Sequence, residues 1–145
     1  MDTVEILLTH PITNETLPDY ADIFASIAEQ VDAVVMLFAI PAAGDIEAVL
    51  ALKNYIKTLG FSYIEARLLT TCSFPDNLLL FEATSKRAYP YTGVVIPQLA
   101  KNIPDFVEEL FMDTWGKVIP KKRLKKEALI LSASELVELG FVENI

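Results

Sequence analysis

The chain of 145 residues contains one cysteine and one histidine. A single cysteine cannot form an intramolecular disulfide or a multi-cysteine zinc site. A single histidine limits both metal chemistry and histidine-based acid–base chemistry. We therefore expect no metal and no cofactor. Cys72 is expected to be a small buried residue rather than a reactive thiol, and His10, which precedes Pro11, is expected to be a turn residue.

The sequence also lacks a long apolar run. The longest such stretch spans residues 33–43 and contains Pro41, whereas a membrane-spanning helix needs about 20 apolar residues. The first residues, MDTVE, lack the basic segment of a signal peptide. These absences predict a cytoplasmic protein that does not enter a membrane.

Positive charge is scarce and unevenly placed. The chain has 12 basic and 20 acidic residues, for a net charge of −8. A nucleic-acid-binding domain is usually basic, so we do not expect a nucleic-acid partner. Half of the basic residues nevertheless lie within residues 117–126. This basic patch is either a docking surface for an acidic partner or a solvated helix or loop that balances the acidic remainder.

The predicted strands and helices alternate along the chain, which indicates an α/β protein. Hydrophobic residues make up 52% of the chain, and residues 33–40 form a continuous apolar run typical of a buried strand in a parallel sheet. The predicted strands are 4–9, 33–40, 62–71 and 92–96, with an edge strand at 141–142. The predicted helices are 17–30, 46–59, 78–83, 106–115 and 132–139. No linker interrupts this order, so residues 1–145 are expected to form one domain.

Polar residues at the helix starts suggest specific N-caps. Thr13 or Asn14 is expected to cap the first helix, and Asp45 the second. Ser132 and Glu135 have the spacing of a capping box at the last helix.

The order of several short motifs resembles that of the Clp protease proteolytic subunit, which has a crotonase-like fold. The motifs are residues 6–12 (ILLTHPI), 41–46 (PAAGDI), 86–87 (KR), and 131–142 (LSASELVELGFV). The resemblance covers nearly the whole chain and implies a spiral of β-β-α units. The segment 99–130 is short, so the fold is expected to lack the long handle helix with which this family stacks two rings.

The resemblance also implies where a catalytic site would lie. Ser73 follows Gly44 at the separation that the family keeps between its second glycine and its nucleophilic serine. The N–H groups of Gly44 and Phe74 would be equivalent to the oxyanion hole. An N-cap or turn serine before Pro75 is the alternative interpretation of Ser73.

Two members of the family's Ser-His-Asp triad are missing. Pro97 and Gln98 occupy the segment where the family has its histidine, and residues 124–128, where the family has its aspartate, contain only Glu127 as an acid. A serine hydroxyl without a positioned base is a weak nucleophile. The sequence therefore predicts a catalytically degenerate protein that acts as an assembly or regulatory subunit, as a homo-oligomer or beside Clp-like subunits.

Three alternatives are left open. The chain could be an active serine hydrolase in which Ser73 uses a base other than histidine, such as Lys86. It could perform crotonase-type acyl-CoA chemistry, with Gly44 supplying one N–H to a thioester carbonyl. It could also be an unrelated α/β binding module, in which case the motif order is coincidence.

Overall fold

The computed structural model describes residues 2–145, and these form two sheets flanked by helices. The strands are β1 Thr3–Leu8, β2 Ala33–Phe38, β3 Tyr63–Leu68, β4 Cys72–Ser73, β5 Ser85–Ala88, β6 Gly93–Ile96, β7 Leu129–Ser132 and β8 Glu143–Asn144. The α-helices are α1 Leu17–Gln30, α2 Ile46–Leu59, α3 Asp105–Asp113, α4 Lys121–Lys126 and α5 Ala133–Glu138. Short 3₁₀ helices span Asp76–Glu82 and Trp115–Lys117.

The larger sheet is parallel, with strand order β1-β2-β3-β5-β8. Its interior strand β2 is almost entirely buried, as its continuous apolar sequence predicts. Alternate residues of β1, β2 and β3 join the side chains of α1 and α2 in the main hydrophobic core, for example Met36, Leu68, Phe24 and Leu52. The α/β prediction is therefore confirmed.

The smaller sheet contains Ser73. Its order is β4-β6-β7, with β4 parallel and β7 antiparallel to β6. Strands β4, β5 and β7 were not predicted as separate strands, and the edge strand is Glu143–Asn144 rather than residues 141–142. These strands have two to four residues each, which is too short for an alternating pattern to mark them.

The helix caps agree only in part with the expectations. The Ser132–Glu135 capping box is present at α5. Asp45 is the N-cap residue of α2, but its side chain makes no capping hydrogen bond. The N-cap of α1 is Thr16 rather than Thr13 or Asn14, because the Thr13 hydroxyl accepts hydrogen bonds from the N–H groups of Glu15 and Thr16 in the preceding turn.

The segment after β6 contains no long helix. Between residues 99 and 130 the longest helix is α3, with nine residues, followed by the six-residue α4. The fold therefore lacks a handle helix, as expected from the length of this segment. The predicted helix at 78–83 is a 3₁₀ helix that begins at Asp76, with the Leu78 N–H donating to the Pro75 carbonyl at 2.9 Å. No helix within residues 2–145 is long and apolar enough to cross a membrane.

Candidate functional site

Ser73 lies on strand β4, where it pairs with Val95 of β6. The residue is half-buried, and its hydroxyl forms no hydrogen bond within residues 2–145. The interpretation of Ser73 as a helix cap or turn residue is wrong, because the residue is part of a strand. No base within the described chain is therefore hydrogen-bonded to the Ser73 hydroxyl.

Phe74 follows Ser73 and is held by both its backbone and its ring. Its N–H donates to the carbonyl of Val95 at 2.9 Å. Its ring stacks on Phe111 of α3, with 4.7 Å between the ring centroids. The next residue, Pro75, is joined by a cis peptide bond and has no N–H to donate. The N–H of Phe74, one of the two implied oxyanion donors, is therefore hydrogen-bonded within the smaller sheet.

The N–H of Gly44, the second implied oxyanion donor, is hydrogen-bonded to Asp76. The Gly44 N–H donates to Oδ1 of Asp76 at 2.6 Å, and the Ile12 N–H donates to Oδ2 at 2.9 Å. The Asp76 side chain thus joins the loop after β1 to the loop after β2, and the residue has no exposed surface. Both Gly44 and Phe74 therefore donate their N–H groups within the chain.

The environment of Asp76 opposes its ionisation. Burial is the main cause that raises the pKa of this carboxyl group, and the negative charge of Asp45 raises it further. The N–H groups of Ile12 and Gly44 act in the opposite direction by stabilising the carboxylate. Asp76 could not be identified as a site residue from the sequence, because the segment Ser-Phe-Pro-Asp suggested only local capping and the two donors are distant in sequence.

Asn77, the next residue, ties both strands of the site to a buried tryptophan. Its Nδ2 donates to the carbonyls of Cys72 at 3.2 Å and Val95 at 3.0 Å. Its Oδ1 accepts from Nε1 of Trp115 at 3.1 Å. Asn77 has no exposed surface, so these contacts satisfy a polar group that would otherwise be costly to bury.

Cys72 is fully buried beside this pair. Burial is the main cause that raises the pKa of its thiol, and the charge of Asp76 raises it further. A raised pKa lowers the fraction of the nucleophilic thiolate. The expectation that Cys72 is a small buried residue agrees with this environment.

Of the residues at the missing triad positions, Gln98 makes a structural contact. Pro97 and Gln98 are exposed after the end of β6, and Nε2 of Gln98 donates to the Lys125 carbonyl at 2.7 Å, at the end of α4. Glu127 is the exposed C-cap residue of the same helix. His10 is exposed, and its Nδ1 lies 3.0 Å from the hydroxyl of Thr9.

Lys86 lies in a different part of the fold from Ser73. It is on β5 of the larger sheet, and its Nζ is 5.0 Å from the centroid of the Phe141 ring. Burial lowers the pKa of this ammonium group. No hydrogen bond joins Lys86 to Ser73 within the described residues.

An open cleft adjoins the site on the side of Phe74. Its volume is about 600 Å³. It is lined by Asn14, Gly44, Asp45, Ile46, Glu47, Phe74, Pro75 and Val107. Ser73 is not part of this lining, although its neighbours Phe74 and Pro75 are. Within residues 2–145, no group of three or more His, Cys, Asp or Glu side chains is placed to hold a metal ion.

Comparison with known proteins shows the fold. A point mutant of ClpP1 from Listeria monocytogenes matches with a TM-score of 0.75 and 16% sequence identity, over 97% of this chain and 90% of that chain. No protein-family model and no curated protein sequence matches the chain. The chain therefore has a Clp-protease-like fold, as the order of its motifs predicts.

Proposed function

We propose that this protein is a catalytically inactive subunit with a Clp-protease-like fold that acts in assembly or regulation. The observation that carries the proposal is the contact of Asp76 with Gly44. A peptidase of this fold needs a free N–H to stabilise the oxyanion of the tetrahedral intermediate. Here a carboxylate oxygen already accepts from that N–H at 2.6 Å.

Asp76 occupies this donor in either protonation state, because a carboxyl oxygen accepts from the N–H whether or not the group is ionised. An ionised carboxylate beside the same donor would repel a developing oxyanion rather than stabilise it. The N–H of Phe74 is likewise bonded to Val95, and Ser73 has no hydrogen-bonded base. Nucleophile activation and oxyanion stabilisation would both require this part of the chain to rearrange.

The alternative is a serine hydrolase that uses Ser73. In its favour, Ser73 is retained and half-buried beside an open cleft. Against it, Lys86 contacts Phe141 on the other sheet rather than the serine. This alternative therefore needs a base supplied from outside the described chain.

The proposed partners are further copies of this chain or Clp-like subunits in the cytoplasm, together with an acidic partner for residues 117–126. Four lysines of this basic patch are exposed and form no ion pair within residues 2–145: Lys117, Lys122, Lys125 and Lys126. In contrast, Lys121 and Arg123 pair with Glu108 and Glu135. The unpaired lysines leave the patch with charge available for an acidic surface.

Reaction with a fluorophosphonate tests the inactive site. We expect no adduct by intact-mass analysis, because the Ser73 hydroxyl lacks a base and the oxyanion donors are occupied. Ser73→Ala serves as the control for the position of any adduct. An adduct on the native protein that is absent from Ser73→Ala would contradict the proposal and favour the hydrolase.

Light scattering after size-exclusion chromatography tests the assembly role. We expect a defined oligomer, and a monomer over a wide concentration range would contradict homo-oligomer formation.

Binding to a polyglutamate probe tests the acidic partner. Lys122→Glu combined with Lys125→Glu should reduce this binding. Lys101→Glu changes an exposed lysine outside the patch and should have little effect.

A further inference from the structure

Lys86 is the one lysine of residues 2–145 that is half-buried without a carboxylate partner. Lys53 is more deeply buried, but its Nζ lies 2.9 Å from a carboxylate oxygen of Glu82. The other lysines are all exposed. A partly desolvated ammonium group without a counter-charge is unfavourable, so this site differs in kind from the rest of the surface.

The position of Lys86 on the sheet explains its burial. It pairs with Ala66 of β3, a residue of the main core. Its ammonium group reaches the ring of Phe141, which packs against Phe81 and Trp115. Contact with an aromatic face compensates only part of the lost hydration, and burial accordingly lowers the pKa of Lys86.

A groove of about 320 Å³ lies beside Lys86, at the open edge of the larger sheet. The pairing of β5 with β8 begins only at Arg87 and Glu143, so the earlier residues of β5 have no strand next to them on this side. The groove is lined by residues 84–86 and 140–143. The hydroxyl of Thr84 forms no hydrogen bond within the described chain.

We infer that this groove binds the phosphate group of a small molecule. The Lys86 ammonium would supply the positive charge, and the Thr84 hydroxyl, two residues earlier, would be a further donor. A phosphate has enough acceptor oxygens for both groups, and charge-assisted hydrogen bonds to it are strong. The one carboxylate in the lining, Glu143, lies 3.9 Å from the guanidinium of Arg87, which offsets its repulsion of an anion.

This inference is independent of the proposed function, since it concerns the opposite sheet from Ser73. Binding of an anion would stabilise the charged form of Lys86 and raise its pKa. Affinity should therefore decrease at alkaline pH, where the free lysine loses its proton. Arg87 and Glu143 pair with each other on the other face of the sheet, because adjacent residues of a strand point to opposite faces. Burial is the cause that lowers the pKa of Lys86.

Calorimetric titration with inorganic phosphate tests the site, with Lys86→Met and Lys122→Met as matched variants. We expect Lys86→Met to weaken binding by about tenfold or more, because it removes a charge-assisted hydrogen bond but keeps an apolar stem of similar length. Lys122→Met removes an exposed lysine of the basic patch and should leave the affinity unchanged. Fluorescence of Trp115 verifies that each variant is folded.

Backbone amide shifts on phosphate addition locate the ion. We expect the largest shifts at Thr84, Ser85 and residues 140–143, and weaker binding of acetate than of phosphate. Equal affinity of the native protein and Lys86→Met would overturn the inference. So would shifts centred on residues 117–126, or acetate binding as tightly as phosphate.

Discussion

The backbone N–H of Gly44 donates to the carboxylate of Asp76 at 2.6 Å, across a separation of 32 residues. The same carboxylate accepts from Ile12, so one side chain holds together the loops that follow β1 and β2. Gly44 also lies directly against the backbone of Ile12, with the Asp45 N–H donating to the Ile12 carbonyl at 2.9 Å. The loops around the site therefore form a closed, internally bonded unit.

Gly44→Ala should destabilise the protein severely. A Cβ at this position would lie 2.7 Å from the backbone nitrogen of Ile12 and closer still to its carbonyl oxygen, and neither atom can move without displacing the loop. We expect a loss of about 3 kcal/mol or more in the free energy of unfolding, measured by urea denaturation.

Gly60→Ala is the matched control for this substitution. Gly60 has φ +70° and no atom within 4 Å of a Cβ, so alanine there costs only backbone strain. We expect a loss of about 1 kcal/mol. If the two variants were equally stable, the close packing of Gly44 against Ile12 would not matter to folding.

Asp76→Asn should change how stability depends on pH. Because the folded pKa of Asp76 is raised, its stabilising contribution is complete below the ordinary value of 3.8 and decreases as the pH rises through the raised pKa. Asparagine at this position lacks that titration. The difference in unfolding free energy, native minus Asp76→Asn, should therefore be largest at acidic pH and fall towards neutral pH.

Urea denaturation of both proteins at several pH values measures this difference. Asp76→Asn keeps one acceptor oxygen, but its NH₂ group then faces one of the two backbone N–H donors, Ile12 or Gly44. We therefore expect the variant to be less stable than the native protein at every pH. A difference that increases with pH would mean that the hydrogen bonds from Ile12 and Gly44 outweigh burial, and that the folded pKa is lowered instead.

The fold could be predicted from the sequence where long amphipathic or apolar segments carry the information. The helix at Leu17–Gln30 and the helix at Ile46–Leu59 begin and end at the predicted residues, and the buried strand near residues 33–40 is present. Each of these elements is specified by residues within its own length, so periodicity was enough to find it. The motif order then predicted how such elements are arranged.

The candidate site could not be predicted to the same degree, because its contacts join residues far apart in sequence. Asp76 depends on Ile12 and Gly44, and Asn77 depends on Val95 and Trp115. The hydrophobic periodicity of the sequence gives no information about such long-range pairings. A polar pair at the start of an otherwise apolar segment, DNLLLF, was the one available signal that these side chains would be buried.

Glu65→Gln should cost more stability than Glu5→Gln, although both carboxylates pair with Arg67. The side chain of Glu65 is 8% exposed and also contacts Arg87 at 3.8 Å, whereas that of Glu5 is 59% exposed. We expect a loss of about 1.5–3 kcal/mol for Glu65→Gln, because it removes a buried carboxylate charge that two partly exposed guanidinium groups share. For Glu5→Gln the loss should be at most about 0.5 kcal/mol.

Salt separates these two effects further. Raising the ionic strength should weaken the small contribution of Glu5 and change that of Glu65 much less, since buried pairs are poorly screened. Similar losses for both variants would show that the Glu65 cluster is no more protected from solvent than a surface ion pair.

Asn77→Ala should destabilise the smaller sheet and alter the environment of the only tryptophan. The substitution removes two donors to the carbonyls of Cys72 and Val95 and leaves Nε1 of Trp115 without its partner in a fully buried position. We expect a loss of about 2–4 kcal/mol in the free energy of unfolding and a blue shift of the folded-state emission. Gln98→Ala is the control, because its amide also donates to a backbone carbonyl but is exposed, and we expect a loss of at most about 1 kcal/mol there. An unchanged emission maximum in a folded Asn77→Ala variant would contradict the contact between Asn77 and Trp115.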